Sequence, residues 1–142
     1  MRPPVWIVAA VLLPGCGDAE PPRHTRNEYF HREDAAVAQK EPGPHAGTGE
    51  TTAYRYFDDV IDARVIFRKR ALPPGASIGL HTLSHDEVYY VLSGRGELTV
   101  DDSKVEVREN SATFMREGAS VAIRQLGETD LVLIVAYPPP SK

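Results

Sequence analysis

The chain has 142 residues, 42% apolar and 25% charged, with 11 glycines and 12 prolines. That is room for one ordinary domain, and it rules out a large multidomain enzyme, a collagen-like chain and a polytopic membrane protein. Sixteen basic residues stand against 20 acidic ones, a net charge of −4, so the chain lacks the basic footprint that phosphate neutralisation requires and nucleic acid is not an expected partner.

Met1-Arg2 give a short positive start, and Val5 to Leu13 form an unbroken apolar run of nine. A helix needs ~20 such residues to cross a bilayer, so residues 1–15 read as a signal peptide. The run ends in Leu13-Pro14-Gly15-Cys16, and Cys16 is the single cysteine. This stretch resembles the lipobox of bacterial lipoproteins. The resemblance implies lipidation of Cys16 and a membrane contact through that anchor only. Gly17 in place of an acidic residue resembles the outer-membrane class, facing the periplasm. An ordinary cleaved signal with a stray thiol, or a short N-terminal anchor, is the alternative. An acylated Cys16 leaves no disulfide, so the fold must stand on its core.

Residues 16–51 change composition. Pro21, Pro22, Pro42, Pro44, Gly43, Gly47 and Gly49 accompany many charges and few large apolar groups. Such a stretch cannot offset its ordering entropy by burial and reads as a tether. A short helix is expected within 27–40, and the segments around Glu41–Pro44 and Gly47–Gly49 could instead lie over the domain as an ordered arm. His24, His31 and His45 match no compact metal spacing and read as solvated.

From residue 52 to 139 the pattern is all β. Short runs rich in Val, Ile, Tyr and Thr appear at 54–57, 63–71, 77–81, 87–93, 96–100, 104–108, 112–115, 121–125 and 131–137. Turn residues separate them: Pro73-Pro74-Gly75, Ser93-Gly94-Arg95-Gly96, Asp101-Asp102-Ser103, Glu109-Asn110, Arg116-Glu117-Gly118 and Gly127-Glu128. Nine strands so spaced predict a sandwich or barrel. The continuous apolar run Leu131–Ala136 predicts a strand buried on both faces.

Two stretches then resemble the cupin superfamily. Gly75, His81, Glu87 and Gly94 fall at the spacing of its first motif, Gly-x5-His-x-His-x3-4-Glu-x6-Gly, with Leu83 where the second histidine belongs. The second motif, Gly-x5-Pro-x-Gly-x2-His-x3-Asn, maps onto Asn110 to Gln125. Gly118 matches, Asn110 and Gln125 are near-substitutes, Arg116 replaces the proline and Val121 replaces the histidine. The resemblance implies an all-β fold, the cupin-type double-stranded β-helix (jelly-roll) barrel, over roughly residues 52–139.

In metal-bearing cupins three histidines and a glutamate hold one divalent transition metal such as Fe, Mn, Ni or Zn. Here two of those positions carry Leu83 and Val121. His85, two residues before Glu87, could complete a set of His81, His85 and Glu87 if the chain stays extended; a turn would break that parity. Without metal, a buried Glu87 needs donors or a cation nearby, with Arg124 or Arg68 as candidates. Tyr89 and Arg124 are expected to line the pocket. Arg64, Arg68, Lys69 and Arg70 read as a solvated face more than as an anion site. Tyr56, Phe57, Val65, Phe67 and Leu131–Val135 could line a dimer contact, since the resemblance implies a homodimer. Three readings follow: a barrel binding a small molecule such as a sugar or acid, with a degraded metal site; a metal-dependent oxygenase or isomerase using His81, His85 and Glu87; or a structural envelope protein.

Overall fold

The computed structural model describes residues 29–140. The expected signal peptide and Cys16 lie outside that range. One helical turn, α1 (Asp34–Val37), precedes ten strands: β1 (Ala38–Pro42), β2 (Glu50–Arg55), β3 (Ile66–Leu72), β4 (Ser77–Thr82), β5 (Glu87–Ser93), β6 (Arg95–Val100), β7 (Ser103–Arg108), β8 (Ala112–Met115), β9 (Ser120–Leu126) and β10 (Leu131–Tyr137). They form two antiparallel sheets, ordered β1-β2-β3-β10-β5-β8 and β4-β9-β6-β7. This is the jelly-roll barrel the motifs imply.

Alternation sets what the barrel encloses. Leu72, Val91, Leu131 and Leu133 from the larger sheet meet Ile78, Leu98, Val121 and Ile123 from the smaller one, all buried. Each such side chain contributes roughly 1.5–3 kcal/mol of burial. Along the same inward faces the chemistry then changes. On β3 the inward residues run Leu72, Arg70, Arg68, and on β5 they run Val91, Tyr89, Glu87. The register sets Leu131 opposite Leu72, Leu133 opposite Arg70 and Val91, and Val135 opposite Arg68 and Tyr89. One end of the barrel is therefore a sealed apolar core and the other a polar cavity.

Residues 38–51 are part of the larger sheet. β1 pairs with β2 from Ala38↔Tyr54 to Pro42↔Glu50, and the loop between them crosses to β4, an edge strand of the other sheet. There Gly79 N donates to Pro44 O (2.9 Å), Ser77 N to Thr48 O (3.0 Å), Thr48 N to Ser77 Oγ (2.8 Å) and Thr48 Oγ1 to Gly75 O (2.7 Å). The edge is thus covered. The approach is too close for a side chain: a Cβ at Gly79 would lie 2.0 Å from the His45 carbonyl oxygen, and one at Gly47 2.2 Å from that of Ser77. Glycine is required at both.

Two expectations differ from the structure. The helix expected within 27–40 is a single turn followed by a strand, because pairing with β2 satisfies the backbone of residues 38–42. β10 is not buried on both faces: Leu131, Leu133 and Val135 point inward, while Val132 and Ile134 face outward and are half covered. Any dimer contact on this sheet would therefore use Val132 and Ile134, with Phe67, Tyr90 and Phe114 beside them.

Candidate ligand pocket

The polar end of the barrel holds a cavity of about 380 Å³. Its walls bring together residues far apart in the chain: Arg55 from β2, Arg68 and Arg70 from β3, His81 from β4, Glu87 and Tyr89 from β5, and Tyr137 from β10. Glu41 from β1 and His45 from the β1–β2 loop complete it.

Glu87 is almost wholly buried. Its Oε2 accepts a hydrogen bond from His85 Nε2 at 3.1 Å, and Tyr89 lies two residues along the same face, close enough to feel its charge. The Tyr89 phenol is held well above its ordinary range, first by burial, then by the Glu87 charge and their hydrogen bond. It stays a neutral donor. With Nε2 donating to Glu87, the His85 ring leaves Nδ1 facing Ser84 Oγ at 3.1 Å. The ring stacks on Tyr137, with centroids 4.3 Å apart.

His81 lies on the opposite wall. Its Nδ1 meets Gly79 O at 2.9 Å, and its ring stacks on His45, centroids 3.7 Å apart and planes 6° apart. The His45 imidazole is held below its ordinary range by burial first, then by His81 and Arg70. His45, like Glu41, Arg55, Arg70 and Tyr137, lines the pocket without a sequence signal for it; its spacing reads as solvated, and docking of the β1–β2 loop brings it inward.

The arginines carry most of the charge. Glu41 bridges two of them, with Oε1 2.7 Å from Arg70 Nη2 and Oε2 2.5 Å from Arg55 Nη2. Burial pushes the Glu41 carboxyl up, but the hydrogen bonds from Arg55 and Arg70 outweigh it and the group sits below its ordinary range. Arg70 Nη1 also donates to Thr51 Oγ1 (2.8 Å), and Arg55 Nη1 to Gln39 Oε1 (2.8 Å). Asp58 takes a forked pair from Arg68, 3.1 Å to Nε and 2.5 Å to Nη2. The basic cluster of β3 is thus split by strand parity. Arg68 and Arg70 turn into the barrel. Lys69 turns outward, where it is bonded to Asp34.

Arg124, expected in the pocket, is not there. β9 turns Val121, Ile123 and Gln125 inward, so Arg124 points outward and binds Glu97 at 3.0 and 3.2 Å. Glu87 takes its donor from His85 instead.

A family-type metal would need three or four donors converging on one point in this cavity. His81, His85 and Glu87 all line it, but among the described residues no three His, Cys, Asp or Glu side chains are gathered closely enough to hold an ion. The other two ligand positions carry Leu83 and Val121, both buried in the core. His81 is turned to its own strand, and His85 and Glu87 hold each other. This donor set, as arranged, does not fit the group.

Comparison with known proteins agrees with the fold. Residues 69–137 match the cupin domain family model. The oxalate-binding protein of Thermotoga maritima is 36% identical over 67 residues, covering 46% of this chain and 55% of that protein. An uncharacterized protein of Streptomyces coelicolor is 32% identical over 71 residues, 50% of this chain and 68% of its own. The chain spans about half the length of the Thermotoga relative. Among solved structures, a "predicted oxalate decarboxylase" from Thermotoga maritima superposes with a TM-score of 0.68 at 24% identity, covering 76% of this chain and 97% of that one. An RmlC-like cupin from Shewanella frigidimarina gives 0.65 at 16% identity, covering 81% and 94%. From the first motif at Gly75–Gly94, the two-sheet barrel and these matches, the chain carries a cupin domain.

Proposed function

We propose that this cupin domain is a small-ligand-binding barrel that holds a small carboxylate in its polar cavity, without a metal ion. The observation that carries the reading is the inward turn of Arg55, Arg68 and Arg70 toward one cavity. Guanidinium groups bind carboxylates through paired, charge-assisted hydrogen bonds, and the cavity lies in the lower range of small-molecule sites. The name of the Thermotoga relative, an oxalate-binding protein, points to the same ligand class. The lipidated Cys16 would place this barrel in the cell envelope, tethered to the outer membrane.

The test is thermal unfolding of chelator-treated protein with sodium oxalate and sodium malonate. Saturation at about 100 Kd stabilises the folded state by ~2.7 kcal/mol, a rise of several degrees for a domain of this size. Arg68→Met should abolish the rise. No shift with any small mono- or dicarboxylate would contradict the reading.

The protein also fits a homodimer paired through the outer face of the larger sheet. Phe67, Val132, Ile134, Ala136, Val88, Tyr90, Leu92 and Phe114 form a continuous apolar surface there. Across β3, β10, β5 and β8 the only outward charge is Lys69, which Asp34 neutralises. A surface without net charge matches a second copy of itself.

A further inference from the structure

We infer that Glu41 is an internal carboxylate that occupies the Arg55–Arg70 pair, and that a ligand carboxylate binds by displacing it. This rests on the carboxylate-binding reading above. Glu41 accepts from two converging guanidinium groups, one on each oxygen, at 2.7 and 2.5 Å. That is the arrangement a bound carboxylate ligand would make.

Two features allow the exchange. Glu41 sits on β1, the last strand of its sheet, and a quarter of its side chain is exposed, so it can turn outward without moving the barrel. Each arginine keeps a second tether when it leaves: Arg70 on the buried Thr51 hydroxyl and Arg55 on Gln39. The Thr51 hydroxyl is itself fixed by donating to the Glu41 backbone carbonyl at 3.3 Å, a bond that the side chain's departure does not break. The pair therefore stays open and aligned for an incoming anion. Glu41 also neutralises the facing Arg55 and Arg70 in the free protein, where Arg55 has Asp58 as a further counter-charge at 3.8 Å, so a ligand carboxylate replaces one negative charge by another.

The test is calorimetric titration of oxalate into the wild type and Glu41→Gln, which retains shape and removes the charge. The inference predicts at least tenfold tighter binding by Glu41→Gln. The Glu41 side-chain carboxyl, followed by carbon NMR in the wild type, should titrate below the ordinary carboxylate range when free and move back up at oxalate saturation. Equal or weaker binding by a folded Glu41→Gln, or an unmoved Glu41 titration under saturating oxalate, would overturn displacement while leaving the pocket reading intact. Absence of oxalate binding by both proteins would take down both.

Discussion

His45 stacks face to face on His81, with ring centroids 3.7 Å apart and planes tilted by only 6°. One ring comes from a proline- and glycine-rich loop and the other from the family's first motif, so this contact joins the N-terminal arm to the barrel. Burial, with His81 and Arg70 close by, disfavours protonation of His45.

The first prediction follows for pH. The folded-state pKa of His45 is lowered by burial, His81 and Arg70, while the unfolded chain keeps the ordinary value. The unfolded state then binds more protons just below that value, so docking of the arm is fully stabilising above the ordinary imidazole range, about pH 6.5, and is lost as pH falls through the lowered value. Proton NMR should place the His45 titration below that of a free imidazole, and His81→Gln should raise it part of the way, since burial is the larger cause. An unshifted His45 would contradict the stacked geometry.

Gly79→Ala tests the arm by sterics. The new methyl would meet the His45 carbonyl oxygen, forcing residues 43–49 off β4 and breaking the Gly79–Pro44 bond. We expect a loss of about 2 kcal/mol, in the range of overpacking, measured by urea unfolding. Amide exchange should speed up at Ser77 and Gly79 but not in β5 or β10.

Tyr89→Phe removes a buried phenol beside the Glu87 carboxylate. His85 would remain as the hydrogen-bond donor to Glu87, and the expected cost is roughly 1–3 kcal/mol at neutral pH. A neutral effect at pH 7 would mean that Tyr89 does not serve Glu87.

Leu83 and Val121 make a constructive test. Val121 lies directly opposite His81 in the β4–β9 register. The double variant Leu83→His, Val121→His restores the family's ligand positions beside His81 and Glu87, and it should take up close to one Co(II) per chain, read from visible absorption. A folded double variant without uptake would show that the His81 and Glu87 side chains cannot turn to a shared ion.

The apolar outer face of the larger sheet makes the oligomeric state predictable. Light scattering should give the mass of two chains, and Phe114→Glu, which places a charge on a side chain 57% exposed in one copy, should give one. A monomeric wild type would contradict pairing through this face.

Much of this was legible in the sequence. β5, β8 and β10 begin and end where the runs at Glu87, Ala112 and Leu131 predict, because alternation and turn residues are both local signals. β1 was not legible, since Ala38–Pro42 is polar and flanked by prolines and glycines. Its order comes from pairing with β2, a tertiary effect. The site failed in parity. β3 turns arginines rather than its apolar residues inward, which composition reverses but a polar cavity requires. β9 runs inward from Val121 in steps of two, so Arg124 had to face outward, and that signal was present in the numbering.

The central claim is that the barrel binds a carboxylate on its arginines without a metal. The most direct test is calorimetry with oxalate on chelator-treated wild type and Arg68→Met, with bound metal measured in the same samples. The account predicts saturable one-site binding in metal-free wild type and its loss in Arg68→Met. Binding that appears only after divalent metal is added, or that survives Arg68→Met unchanged, would contradict it.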